Sequence, residues 1–320
     1  MFDVITVGSA TIDAFATTDK KFATKKNYEF PVGSKILIQE LRFLTGGGGT
    51  NTAVALSRLG LRTAYLGKIG KGSNSELILN ELKKEKIDTS LVCRENSRTG
   101  YSIILDAKGH DRTILTYKGS INDLRYREID KSKLKTKWFY FSSMMEESYK
   151  TLEKLADYAE KNSIKVAFNP STYLAQQGLK KLKNLLQKID ILILNKEEAR
   201  LIIDEKNIQQ LLKKLHYHGP EIVVITDGEM GAHAYFGEKY YYIKAHKIKV
   251  IETTGAGDAF ASSFLAGIII KNDIEFALKL GLTNAESVIK LFGAKNKLLR
   301  YREALKIIKN SKFNLTSKKV

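Results

Sequence analysis

Cysteine is almost missing from this chain: Cys93 stands alone in 320 residues. A single thiol excludes an internal disulfide and a cysteine-built metal cluster. Proline occurs only three times, and no low-complexity block or internal repeat interrupts the sequence. Histidine is scarce, at five residues, and none falls in a metal-ligand spacing; His216 and His218 read as surface residues near a helix end. Long apolar runs are also lacking. The longest, AFASSFLAGIII at 259–270, contains serines and is shorter than the roughly 20 residues that span a bilayer. The opening MFDVITVGSA has no basic stretch ahead of an apolar block, so no secretory signal is read. These absences make a reducing, cytoplasmic setting the expectation, with no membrane partner.

Charge is present in excess. Lys plus Arg number 53 against 35 Asp plus Glu, a formal net charge of +18. Such an excess is one mark of a nucleic-acid binder. The lysines are scattered, however, in pairs at 20–21, 25–26, 83–84 and 213–214, with no helix-length stripe and no aromatic-interleaved ladder. A solvated lysine-rich surface is expected instead, with no nucleic-acid partner; its field favours approach of anionic nucleotides.

The chain is 43% hydrophobic, ample for one large core with a smaller appendage. FDVITVGSA is a short buried strand ending in a Gly/Ser turn. TGGGGTNTAVALSRLG (45–60) is a glycine-opened helix closed by Gly60. From 137 onward, apolar strands such as KWFYFSS, KVAFNP, DILILN and EIVVITDG alternate with amphipathic helices. That rhythm implies parallel βαβ units: an α/β fold with a doubly wound, mostly parallel sheet flanked by helices. Two segments differ, alternating polar and apolar residues like exposed strands. They are 14–43 and 96–119, the latter with a hairpin turn near Lys108 and Gly109. They are expected to form a small β-sheet lid, with 1–13, 44–95 and 120–320 as the large catalytic part. The tail at 310–320 is expected to fray.

The sharpest chemical feature is IETTGAGDAFASSFLAG (251–267). A strand, a Gly-Ala-Gly turn, an aspartate and a helix-forming run place the amides of Gly255, Ala256 and Gly257 at a helix N-terminus. Amides there lack helical partners and hold anions. Asp258 would repel a bound phosphate unless it serves another purpose, such as accepting the proton of an attacking hydroxyl; an N-cap aspartate in a plain turn is the other option. Asp13 after the Gly-Ser turn suits either hydroxyl binding or turn formation. Asn51 caps a helix or meets a ligand. Glu198 suits either a magnesium–water shell or a first-turn dipole contact.

Residues 251–267 resemble the signature of the ribokinase-like sugar and nucleoside kinase family, in which Asp-Thr-x-Gly-Ala-Gly-Asp precedes a helix. TGGGGTNTAVALSRLG resembles that family's Gly-Gly loop, and the order of elements matches over nearly the whole chain. The resemblance implies ATP and Mg2+ as cofactors and Asp258 as catalytic base beside an anion hole of Gly255, Ala256 and Gly257. It implies Asp13, Gly47 and Asn51 as acceptor contacts. Asn195 and Glu198 would organise magnesium and phosphate, Thr226 and Gly228 would support the nucleotide, and Asn284 would line an adenine pocket. Two departures stand out. Glu252 replaces the family's aspartate beside a monovalent-cation (K+) site, and Gly48 stands where ribose-specific members often carry lysine, which makes a phosphorylated acceptor less expected.

The acceptor implied is a small sugar, bound between the sheet and the lid, whose closure excludes water. A nucleoside accepting at its 5′-hydroxyl is the alternative, since Phe15 shares a strand face with Asp13. A non-catalytic ligand- or nucleic-acid-binding protein on a kinase scaffold is the alternative of another class. Exposed edges of the lid also suggest a homodimer.

Overall fold

A computed structural model describes residues 1–24, 27–107 and 112–320. The Lys25–Lys26 pair and the expected turn at Lys108 and Gly109 lie outside the described residues. The large sheet contains β1 (Phe2–Val7), β4 (Thr63–Ile69), β5 (Asp88–Arg94), β8 (Thr136–Ser142), β9 (Lys165–Asn169), β10 (Ile191–Asn195), β11 (Ile222–Thr226), β12 (Ala232–Phe236), β13 (Lys239–Ile243) and β14 (Leu315–Lys319). Their order is β14-β13-β12-β11-β10-β9-β8-β1-β4-β5. The seven strands from β11 to β5 run parallel, and the last three are antiparallel.

Strands such as ILILN and IVVIT are apolar on both faces because helices cover both faces. Ile5, Val7, Phe139, Phe141, Leu192 and Leu194 pack against α3 (Glu146–Lys161), α5 (Gly178–Leu186), α6 (Lys196–Ile202) and α7 (Ile208–Tyr217). Their strand neighbours Val4, Tyr140, Ile193 and Val224 face the other way, onto α8 (Ala256–Lys271), α9 (Ile274–Val288) and α10 (Tyr301–Asn310). Alternation at period two therefore feeds two separate helical layers. The doubly wound sheet is as expected.

The tail differs from expectation. Residues 315–319 do not fray; they form β14, paired antiparallel to β13 with Leu315 opposite Ile243. The alternating, lysine-rich LTSKK is suited to an edge strand that is half solvated, and lysines there discourage further pairing.

The two atypical segments do share a sheet. β2 (Thr11–Thr18), β3 (Glu40–Gly46), β6 (Gly100–Ala107) and β7 (Thr113–Tyr117) pair in the order β3-β2-β6-β7, with β2 and β6 parallel. The sheet starts at Thr11, so Asp13 stands on its central strand, opposite Leu44 and Ser102. Register fixes its two faces. Asp13, Phe15, Arg42, Leu44 and Ile104 share one; Leu41, Phe43, Ile103 and Leu115 share the other and are exposed.

Among the described residues the lysines lie mostly in solvent contact, and two are buried. Lys68 is 2% exposed and Lys295 is 5% exposed. Lys68 Nζ sits 2.9 Å from Glu128 and 3.0 Å from Glu95, tying β4 to the segments on either side.

Candidate active site

The chain leaves β1 for β4 and β5 on one side, then returns to β8 and the following strands on the other. Crossovers that depart in opposite directions open a crevice at the carboxyl ends of β1 and β8. Ser9 follows β1 and Ser142 ends β8, and both line a cleft of about 260 Å3 that contains Asp258.

α1 (Gly48–Arg58) begins directly against the β1 exit. The Gly49 amide donates to Ser9 O at 3.0 Å, and the Gly48 amide to Ser9 Oγ at 3.1 Å. Gly47 caps the helix at φ +96°, and a Cβ there would stand 2.5 Å from the Ser9 carbonyl oxygen. A side chain is excluded both by conformation and by space. Asn51 lies one turn inside the helix, so it is not the cap. Its Nδ2 donates to Asp258 Oδ2 at 2.8 Å, while its Oδ1 is buried without a partner among the described residues. The two glycine-rich signatures thus meet through one hydrogen bond.

Asp258 is the third residue of α8, a helix apolar almost all round and buried between α1 and α9. The left-handed Gly255 (φ +80°) precedes it, where a Cβ would lie 2.4 Å from that of Ala294. Among the described residues the amides of Gly255 and Gly257 have no acceptor, and a Cβ on Gly257 would meet nothing within 4 Å. Ala256 corrects the three-amide expectation: its N–H closes a turn onto Thr253 O at 3.2 Å. Thr254 Oγ1, beside these amides, is buried without a partner. Burial holds the Asp258 carboxyl above its ordinary value, opposed by the Asn51 hydrogen bond and the charge of Lys295.

Asp13 is held by Thr11 Oγ1, which donates to Oδ1 at 3.0 Å, and by Ser102. Burial raises this carboxyl too, with the two hydroxyls and Lys295 opposing. Gly46 on the neighbouring strand leaves room for it, since a Cβ there would sit 1.9 Å from Asp13 Oδ2. Lys295 was not legible as a site residue, being one lysine among many. Its Nζ contacts Glu81 at 2.6 Å and Thr45 Oγ1 at 2.9 Å, and its field reaches both Asp13 and Asp258. A larger cavity of about 660 Å3, lined by Phe15, Leu44, Ile104, Arg112, Glu252 and Phe292 among others, lies between the small sheet and the segment before α8. It does not include Asp258, which lines the smaller cleft.

Asn195 and Glu198 form a capping box on α6: Asn195 Oδ1 accepts from the Glu198 amide at 2.8 Å, and Glu198 Oε2 from the Asn195 amide at 3.1 Å. Among the described residues Glu198 Oε1 has only Thr172 Oγ1, at 3.4 Å, which leaves that oxygen capacity for a further donor. Burial raises this carboxyl, and the charge of Asp258 adds to the effect. Thr226 pairs in register with Asn195 at the adjoining strand end, and Gly228 follows in a left-handed turn (φ +53°). Asn284 departs from its expected place. It is fully buried, donating to Ser263 Oγ at 2.7 Å and accepting from the Leu299 amide at 2.9 Å. With both polar ends engaged it ties α9 to α8 and the 299 segment. Glu252 is likewise engaged, by Arg112 at 2.5 Å and by the Gly293 amide at 2.9 Å. No cluster of three or more His, Cys, Asp or Glu able to hold a metal occurs among the described residues.

Residues 1–300 match the pfkB family of carbohydrate kinases. The chain belongs to this family. An uncharacterized sugar kinase of Archaeoglobus fulgidus is 31% identical over 253 residues, 77% of this chain and 99% of that one. A 5-dehydro-2-deoxygluconokinase of Bacillus licheniformis is 27% identical over 90% of each chain. The fold is shared with a ribokinase of Arabidopsis thaliana solved with ribose and ATP, at a TM-score of 0.84 and 21% identity, covering 97% of this chain and 99% of that one. This pfkB-family chain is a phosphotransferase acting on an alcohol group of a carbohydrate. No helix among the described residues is long and apolar enough to cross a membrane.

The Asn51 hydrogen bond favours the ionised form of Asp258. Asn51→Ala therefore raises the Asp258 pKa further, so the carboxylate is lost at a higher pH on acidification. Carboxyl-carbon NMR titration of labelled aspartate measures this; a shift downward or none contradicts the geometry.

Proposed function

We propose that this kinase transfers the γ-phosphoryl group of ATP to a hydroxyl of a small sugar, with Asp258 as the base. The observation that carries the reading is a carboxylate held by Asn51 at 2.8 Å, lining a cleft beside two unpaired amides. In the step, the acceptor oxygen forms a bond to phosphorus, the bond to the β-phosphate oxygen breaks with its electron pair leaving on ADP, and the hydroxyl proton passes to Asp258. The raised carboxyl pKa improves Asp258 as a base once ionised. The Gly255 and Gly257 amides and the α8 dipole stabilise negative charge on the phosphoryl group.

Asp13 orients acceptor hydroxyls from the inward face of the small sheet, with Asn51 Oδ1 as a second acceptor atom and the Gly47 turn shaping the floor. Glu198 is the residue that would hold Mg2+ through water, and that ion would neutralise phosphate charge when bound. Asn195, Thr226 and Gly228 sit at adjacent strand ends on the side assigned to the nucleotide. A K+ ion near Glu252 would compete with Arg112, whose guanidinium already supplies a positive charge there. We assign the small sheet, 14–43 and 96–119 with its strands reaching Thr11 and Gly46, the part of a lid over the larger cavity.

A nucleoside acceptor is supported by the apolar wall of that cavity, where Phe15, Ile104 and Phe292 offer a surface for a base. A homodimer through the lid is supported by its outer face, where Phe43 is 56% exposed beside Leu41, Ile103 and Leu115.

Asp258→Asn keeps the shape but removes the base. Turnover in a coupled ADP-release assay is expected to fall by about a thousandfold, with ATP binding by calorimetry largely intact; strong residual turnover refutes the role. Asp13→Ala is expected to raise acceptor KM by about 10- to 100-fold with a smaller change in kcat, and an unchanged KM would remove Asp13 from the acceptor site. Phe43→Lys is expected to convert a dimer to monomer in sedimentation equilibrium. A wild-type protein that is already monomeric there speaks against the lid dimer.

A further inference from the structure

One cation lining the Asp258 cleft has no anionic partner. Lys118 follows β7, where the chain returns from the small sheet to the core, and it lines the same cleft as Asp258. It is half-buried, and burial alone holds its amine below the ordinary lysine value. Its Nζ lies 4.9 Å from the ring centre of Tyr173, a contact that holds the side chain against the cleft wall. Among the described residues no carboxylate neutralises it. Lys68, Lys295 and Arg112 behave differently, each closing onto a protein carboxylate. A charge left unpaired in a partly dry cleft is unfavourable unless a ligand brings the counter-charge.

A second group in this cleft is also incomplete. Ser142 lines it, is 4% exposed, and its Oγ has no hydrogen-bond partner among the described residues. Buried hydroxyls are normally satisfied, so an unsatisfied one facing a cavity marks a place for a polar ligand atom. Gly48 leaves the space in front of it open: a Cβ there would come within 3.1 Å of Ser142 Oγ and 3.6 Å of Asp258 Oδ1.

We propose that Lys118 and Ser142 select an acceptor bearing a carboxylate, a sugar acid rather than a neutral sugar, with the acid group paired to the Lys118 ammonium while the hydroxyl to be phosphorylated faces Asp258. One ammonium matches the single charge of a carboxylate. A phosphate dianion is better served by a planar arginine fork or several donors, and the arginine of the larger cavity nearest this chemistry, Arg112, is already paired with Glu252. Lys118 follows β7 of the small sheet, and its cleft is lined by Gly48 and Asp258 but not by Asn195, Thr226 or Gly228. The inference rests on the kinase reading with Asp258 as base.

The test is ADP release by the full chain with ATP and a panel of neutral sugars, matched aldonic and keto-aldonic acids, and sugar phosphates, using wild type, Lys118→Met and Lys118→Arg. Sugar acids are expected to exceed their neutral counterparts in kcat/KM by at least about tenfold. Lys118→Met is expected to lower the acid-to-neutral selectivity by about 30-fold, mainly through acceptor KM, and Lys118→Arg to recover most of it. A preference for neutral sugars or for sugar phosphates overturns the proposal and leaves the kinase reading standing. So does a Lys118→Met variant that loses kcat equally for acid and neutral acceptors, which would assign the cation to the transferring phosphoryl group. No ADP from any acceptor overturns the kinase reading and this inference together.

Discussion

The hydrogen bond from Asn51 to Asp258 is the constraint around which the rest of the site is arranged. It joins the first turns of two helices whose N-termini both point into the crevice between β1 and β8. Each helix start is fixed by glycine: Gly47 and Gly255 take left-handed or otherwise restricted conformations, and each would collide with its neighbours if it carried a Cβ. Two positive helix ends converge on one cleft, and a carboxylate there is both attracted by the dipoles and deprived of solvent. Burial prevails in that balance, and Asn51 opposes it by donating to the ionised form.

Buried charge is placed around this contact in an ordered way. Lys295, locked to Glu81, projects positive potential toward Asp13 and Asp258 without touching either. Arg112 closes on Glu252 and joins the small sheet to the segment that leads into the Gly255 turn. Glu198 uses one oxygen to complete its helix cap and keeps the other nearly free. The small sheet then supplies Asp13 from one face and leaves an apolar surface on the other. The cations Lys295 and Arg112 are each paired with a carboxylate, whereas among the described residues Lys118 has no such partner and Asp13, Asp258 and Glu198 are held by neutral donors.

Much of this was legible in the residues. Doubly apolar strands alternating with amphipathic helices require a parallel sheet covered on both faces. The glycine-opened helices at 45–60 and 251–267 announced that two loops would converge. Other features were not legible. The 310–320 tail is polar and lysine-rich, and only the free edge of β13 makes a strand of it. Asn284 carries the family pattern, yet its amide is consumed by Ser263 and Leu299. Ala256 sits in the middle of the Gly-Ala-Gly turn, yet its N–H folds back onto Thr253. Each of these depends on what a neighbour distant in sequence offers.

The order of residues by itself determined the fold class, the family and the two local motifs, because periodicity and glycine conformation act within a few residues along the chain. It left open which polar groups would find partners. That was decided only by tertiary structure: a hydrogen bond across 207 positions between Asn51 and Asp258, an ion pair across 214 between Glu81 and Lys295, and one across 140 between Arg112 and Glu252. Satisfaction of a buried charge is a property of the space around it, and that space is assembled from segments that no local pattern connects.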